Sequence, residues 1–113
     1  MEMPNGIGPH QGIEFNLMRS GDKHVALFIE LEPDGLDDIL AGGFKLLKFQ
    51  HPRFLHFTWI VYREGFDQSA VRLRALVEQE TLGFDPVREH EIGQILSYTP
   101  AQVDIFLQYA QKL

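Results

Sequence analysis

The chain contains no cysteine, and that absence removes several chemistries at once. No disulfide, zinc–thiolate site or thiol nucleophile can form. A chain without thiols also suits a reducing compartment, so the expected location is cytoplasmic. Basic residues are scarce. Ten Lys and Arg face sixteen Asp and Glu, giving a net charge of −6. This balance works against binding of a phosphate backbone, which draws its affinity from Lys and Arg. No apolar run approaches the ~20 residues of a membrane-spanning helix, and no membrane partner is expected. The opening residues, Met1 to Gly6, lack the basic and apolar regions of a signal peptide. No internal repeat or low-complexity segment breaks the chain, so residues 1–113 are expected to form one domain, with 1–10 irregular because of Pro4, Gly6, Gly8 and Pro9. Gly6-x-Gly8 has no strand before it, which argues against a phosphate-binding loop.

What the chain has in quantity is apolar and aromatic side chain. It is 44% hydrophobic, with nine Phe, three Tyr and one Trp in 113 residues, enough for a core that folds without staples. The stretch Phe54 to Tyr62 carries the clearest pattern. It is aromatic and β-branched without internal Gly or Pro, the composition of a buried strand. Leu55, Phe57, Trp59 and Val61 alternate onto a wholly apolar face. Phe54, His56, Thr58, Ile60 and Tyr62 make a mixed one. The apolar face is expected against the main core under one or more helices. Trp59→Ala is then the most damaging single core substitution, at about 3–5 kcal/mol.

Other elements follow from the same periodicities. Residues 11–20 fit a short helix ending at Ser20-Gly21, although Ile13, Phe15 and Leu17 also alternate as in a strand. His24 to Leu31 reads as a strand. Asp34 is placed to cap a short helix over Leu36–Ala41, closed by Gly42-Gly43. Phe44 to Phe49 reads as a second strand, joined through His51-Pro-Arg53 to the third as an antiparallel hairpin. The connection from first strand to second allows either direction. Three helices then follow. The first starts at Asp67, with Phe66 stapling onto Val71 and with Ala70, Leu73 and Val77 inward. The second starts at Asp85-Pro86. The third opens with the capping-box pattern Thr99-Pro-Ala-Gln102. The expected fold is therefore α+β: a small, mostly antiparallel sheet of three strands (four if residues 11–20 are extended), followed by three C-terminal helices packed on one face.

Several groupings point toward function. Glu91 to Leu107 resembles a helix-turn-helix, with Ile92, Ile95 and Leu96 as the inward positions of its first helix, Gly93 as the small residue, and Val103 with Phe106 or Leu107 in its second. Ser97 stands where the turn glycine usually lies. The resemblance implies a DNA-binding regulator. The second helix, however, exposes Gln102, Asp104 and Gln108, with Lys112 alone at its far end, and phosphate contacts need cations. His10, Glu14, His24 and His56 form the best set for a spatially assembled metal or enzyme site, although no His-Glu-x-x-His pattern is present. No serine lies in a Gly-x-Ser-x-Gly elbow. Glu30 and Glu32, continuing the first strand on the face of His24 and Phe28, would set an acidic patch beside an aromatic ring. Phe28, Phe44, Phe54 and Tyr62 are expected on the less buried side of the sheet, where a contiguous apolar patch marks a partner site. The leading expectation is a soluble binding or protein-interaction module without assembled catalytic chemistry or a cofactor, self-associating through the sheet or taking a protein partner. The alternatives are a DNA-binding regulator through residues 91–107 and a small enzyme or metal protein.

Overall fold

The structure is a computed structural model, and it describes residues 12–29, 31–50, 57–79 and 85–111. The elements run α1 (Glu14–Ser20), β1 (Val25–Ile29), α2 (Leu36–Ala41), β2 (Lys45–Gln50), β3 (Phe57–Tyr62), α3 (Asp67–Gln79), α4 (Pro86–Ile95) and α5 (Pro100–Gln111). The expected mixture of sheet and helices is found, and residues 14–20 take the helical alternative. That helix stops because Gly21 adopts φ 88° and turns its N–H back to Met18 O and Leu17 O, the left-handed closure that glycine permits without strain.

The three strands form one antiparallel sheet in the order β1-β3-β2. The aromatic stretch supplies the central strand. Because β1 and β2 each run antiparallel to β3, they are parallel to one another but not paired. Register decides which side chains share a face. Phe28 lies opposite Trp59 and Ala26 opposite Val61, whereas Val25 lies opposite Tyr62 and Leu27 opposite Ile60. On the other side, Leu46 meets Val61 and Phe49 meets Thr58.

Both faces are covered. Met18, Leu36 and Ile39 from α1 and α2 close over Ala26, Trp59 and Val61, with Phe15, Phe28, Phe44 and Leu46 around them. On the opposite face, Ala70, Leu73, Leu76 and Val77 of α3, with Ile92 and Leu96 around α4, pack on Val25, Phe49 and Ile60. The stripe 70, 73, 76, 77 is one side of a 3.6-residue helix. Burying each such Val, Leu or Ile side chain contributes about 1.5–3 kcal/mol, so the two covered faces together fix the sheet between helical layers.

Several expectations are corrected here. Helices do cover the Trp59–Val61 face as expected, but they are the short α1 and α2, while α3 and α4 take the face of Ile60 and Tyr62. Three C-terminal helices packed together on one face are not what is found, since helices are interspersed with the strands, α1 and α2 standing at the two short helices expected before β2. Tyr62 does not share a face with Phe28 and Phe44, because pairing opposite Val25 sends it to the α3 side. Phe54 lies outside the described residues. Gly35, at φ 81°, and not Asp34, occupies the N-cap of α2, and no side chain caps it. Val71 is 62% exposed. Phe66 instead lies flat on His24, with ring centroids 4.4 Å apart.

The C-terminal helices start where the sequence marks them. Asp85 accepts a hydrogen bond from Val87 N at 3.0 Å, with Pro86 as the first helical residue. Thr99 and Gln102 exchange side-chain and backbone bonds at 2.8 and 3.1 Å, a complete capping box. Between them α4 ends with Ser97 at φ 67°. Tyr98 N donates to Gly93 O and Ser97 N to Gln94 O, which is a Schellman closure with serine in the position glycine favours. The helices then approach very closely: a Cβ on Gly93 would stand 2.3 Å from Val103 Cγ2. Arg72 and Glu91 tie α3 to α4 through two bonds of 2.6 and 2.8 Å. This fork holds the Glu91 carboxyl below its ordinary range and pushes the Arg72 guanidinium up.

Candidate functional site

The site is set by the edges of the sheet. In an antiparallel ladder, bonded and non-bonded residue pairs alternate, and residues of a non-bonded pair turn their N–H and C=O away from the partner strand. Arg63 N donates to His24 O at 2.9 Å, so His24 and Arg63 form a bonded pair. Ala26 and Phe28 follow with the same parity. Val25, Leu27 and Ile29 therefore direct their backbone groups outward, to the side of β1 that no strand occupies among the described residues.

A cleft of about 860 Å³ opens along that edge. Leu27, Phe28 and Ile29 all line it. Successive strand residues point to opposite faces, so a cleft touching all three wraps the strand edge. Phe15, Asn16 and Arg19 of α1 form one wall, and the segment from Leu31 to Gly35 with Asp38 closes the far end. Phe15 and Phe28 meet with ring centroids 5.2 Å apart and planes tilted by 59°, an aromatic pair that gives the cleft its apolar floor. Ile29 and Leu31 are 42% and 79% exposed beside it. The polar lining is unbalanced: Glu14, Glu32, Asp34 and Asp38 stand against Arg19. A smaller cavity of about 350 Å³ continues the acidic rim from Glu32 to Asp38. Such a surface can hold an extended apolar segment by backbone hydrogen bonds and favour cations around it.

The expected site residues divide around this cleft. Glu14, Phe28 and Glu32 line it, but β1 ends at Ile29, so Glu32 reaches the cleft from the following loop rather than as a continuation of the strand, and Glu30 lies outside the described residues. Glu14 also accepts a hydrogen bond from Gly12 N at 2.8 Å. His24 is elsewhere: Arg63 Nε donates to its Nδ1 at 3.2 Å while Phe66 stacks on the ring. Arg63 also donates to Met18 O and covers the Phe44 ring, so Phe44 belongs to a clamp at the other end of β1. His10 and His56 lie outside the described residues. Among the described residues no group of three His, Asp or Glu is placed to hold a metal ion, and no helix is long and apolar enough to cross a membrane.

Lys23 is a functional-looking group that the sequence reading missed. It is 1% exposed. Its Nζ donates to Leu96 O at the end of α4 and sits 5.1 Å from the centre of the Tyr98 ring. Desolvation brings its pKa down from 10.5 to about 8, with the Glu14 charge opposing the drop. Burial, reinforced by Glu14, raises that of Tyr98. A cation on the last carbonyl of a helix satisfies both an orphan acceptor and the helix dipole, so Lys23 closes α4 from across the molecule. Parity carried the missing signal. Lys23 lies two residues before Val25, and the strand pattern extended backwards points it to the same buried face.

Comparisons with protein-family models, with curated proteins and with solved structures give no match. The class that the fold and site define is a small α+β domain with covered sheet faces and an open cleft along one sheet edge.

Proposed function

We propose that this protein is a binding module without catalytic chemistry, and that the cleft along β1 is where it takes a protein segment. One observation carries the reading: outward backbone groups of Leu27 and Ile29 open beside an apolar floor. A site that offers main-chain hydrogen bonds and a hydrophobic surface together is suited to an extended chain. Both sheet faces lie under helices, so self-association by stacking those faces is no longer favoured, and the edge remains. The reading is tested by selecting binders from a random displayed-peptide library. Binding is expected to be lost on Ile29→Asp and Leu31→Asp, which alter exposed positions in the cleft lining, and kept on Val87→Asp, an exposed position on α4. Failure to enrich any peptide, or loss only on Val87→Asp, removes the reading.

The α4–α5 pair supports a second reading, a DNA-binding regulator. The close approach of Gly93 to Val103 is the small-residue contact that the helix-turn-helix resemblance implies. Charge opposes it. Asp104 on the exposed side of α5 is 3.3 Å from His90, and Glu89 and Glu91 flank that histidine. Salt-dependent retention of a mixed-sequence DNA duplex at low ionic strength is the expected behaviour of a regulator, and no retention there removes it.

A further inference from the structure

We propose that the occupant of the cleft is an extended segment rich in Lys or Arg, added as a fourth strand to the edge of β1 that no described strand pairs; this rests on the binding-module reading above. The two edges of the sheet are built differently. β2 carries Lys45 and Lys48 at exposed positions, and Lys48 lies over the rings of Phe57 and Trp59 at 4.4 and 5.4 Å. Lysine on an edge strand is a common guard against pairing with another chain. β1, Val-Ala-Leu-Phe-Ile, has neither lysine nor proline. Among the described residues nothing hydrogen-bonds the outward groups of Leu27 and Ile29. Those groups repeat at a spacing of roughly 6.6 Å, the two-residue step at which an incoming strand presents its own.

Charge selects among possible strands. Four carboxylates against one guanidinium line the cleft, so an incoming segment meets a negative rim on a chain of net charge −6. A second copy pairing β1 against β1 would bring two such rims together. A basic segment gains where a second copy loses, and the attraction is screened over about 10 Å at 0.1 M salt. Alternate apolar residues of the segment would rest beside Leu27 and Ile29 on one face and on the Phe15–Phe28 floor on the other, with its cations toward Glu32, Asp34 and Asp38.

The test uses the full chain and a displayed library of random peptides about ten residues long, the upper length of ordinary strands. Enriched peptides are synthesised, their affinities measured at low and high salt, and amide hydrogen exchange followed by NMR. The expected result is enrichment of Lys and Arg over acidic residues. It includes slowing of exchange at Leu27 and Ile29 by at least about tenfold on saturation with peptide. Affinity should fall about tenfold, or 1.4 kcal/mol, when Glu32→Lys and Asp34→Lys are combined. The same charge change at Glu64→Lys and Asp104→Lys, which lie outside the cleft lining, should have a much smaller effect. Peptides that bind without slowing Leu27 and Ile29, or neutral and acidic peptides enriched equally, overturn the strand-addition inference and leave the binding module standing. A library that yields no binder overturns both. Slowing that appears without peptide, grows with protein concentration and accompanies a dimer in sedimentation makes a second copy the occupant and also overturns the inference.

Discussion

Replacing Lys23 with methionine removes a buried charge while keeping a flexible side chain of similar reach, and its effect should depend on pH in a defined direction. In the unfolded chain the ammonium titrates near 10.5; in the folded protein, desolvation lowers this to about 8. Between those values the unfolded state binds more protons than the folded one, so stability rises with pH. At 1.36 kcal/mol for each tenfold change in proton affinity, the gain from about pH 7.5 to pH 10 is about 2 kcal/mol. Tyr98 limits the window from above. Its folded pKa is raised by burial, so above about pH 10 the unfolded chain loses the phenolic proton first and stability falls again. The assay is urea unfolding followed by fluorescence of Trp59, the single tryptophan, which is buried in the sheet. Midpoints would be measured at closely spaced pH values for both proteins. Wild type should gain stability across the window. Lys23→Met should be flat there, its lost bond to Leu96 O offset by removal of a charge that burial disfavours. If the variant keeps the same rise, Lys23 is not the titrating group and the clamp reading is wrong.

Three further substitutions probe the packing. Gly93→Ala should destabilise by about 1–3 kcal/mol through its clash with the stiff, β-branched Val103, despite alanine's better helix propensity. Combining it with Val103→Ala should recover much of that loss in a double-mutant cycle, and additive losses would refute the contact. Thr58 Oγ1 is fully buried with no hydrogen-bond partner among the described residues, so Thr58→Val, nearly isosteric, should raise the denaturation midpoint by about 1 kcal/mol of stability. Ser97→Gly relieves a left-handed residue at φ 67° and should stabilise by up to about 1 kcal/mol in thermal melts. A loss of stability at Ser97→Gly would mean that the serine side chain holds the turn.

The sequence by itself determined the elements whose causes are local. The Phe54–Tyr62 alternation marked β3, Gly21 ended α1, Asp85-Pro86 started α4, and Thr99 with Gln102 closed the capping box. Each depends on residues within one turn or one strand, so spacing alone carries the information. The sequence also marked Gly93 as a small residue at a helix contact. Only the tertiary structure decided which layer covers which face. Alternation states that Trp59 and Ile60 point oppositely but not which helices each will meet, and here the short α1 and α2 cover the face of Trp59. Pairing register separated Tyr62 from Phe28 and Phe44. Lys23 became a buried cap because folding brings Leu96 to it from 73 positions along the chain. The cleft is likewise a property of strand order. Among the described residues β1 has an open side because β3 lies between it and β2, and whether a strand is an edge depends on pairings that its own residues do not encode.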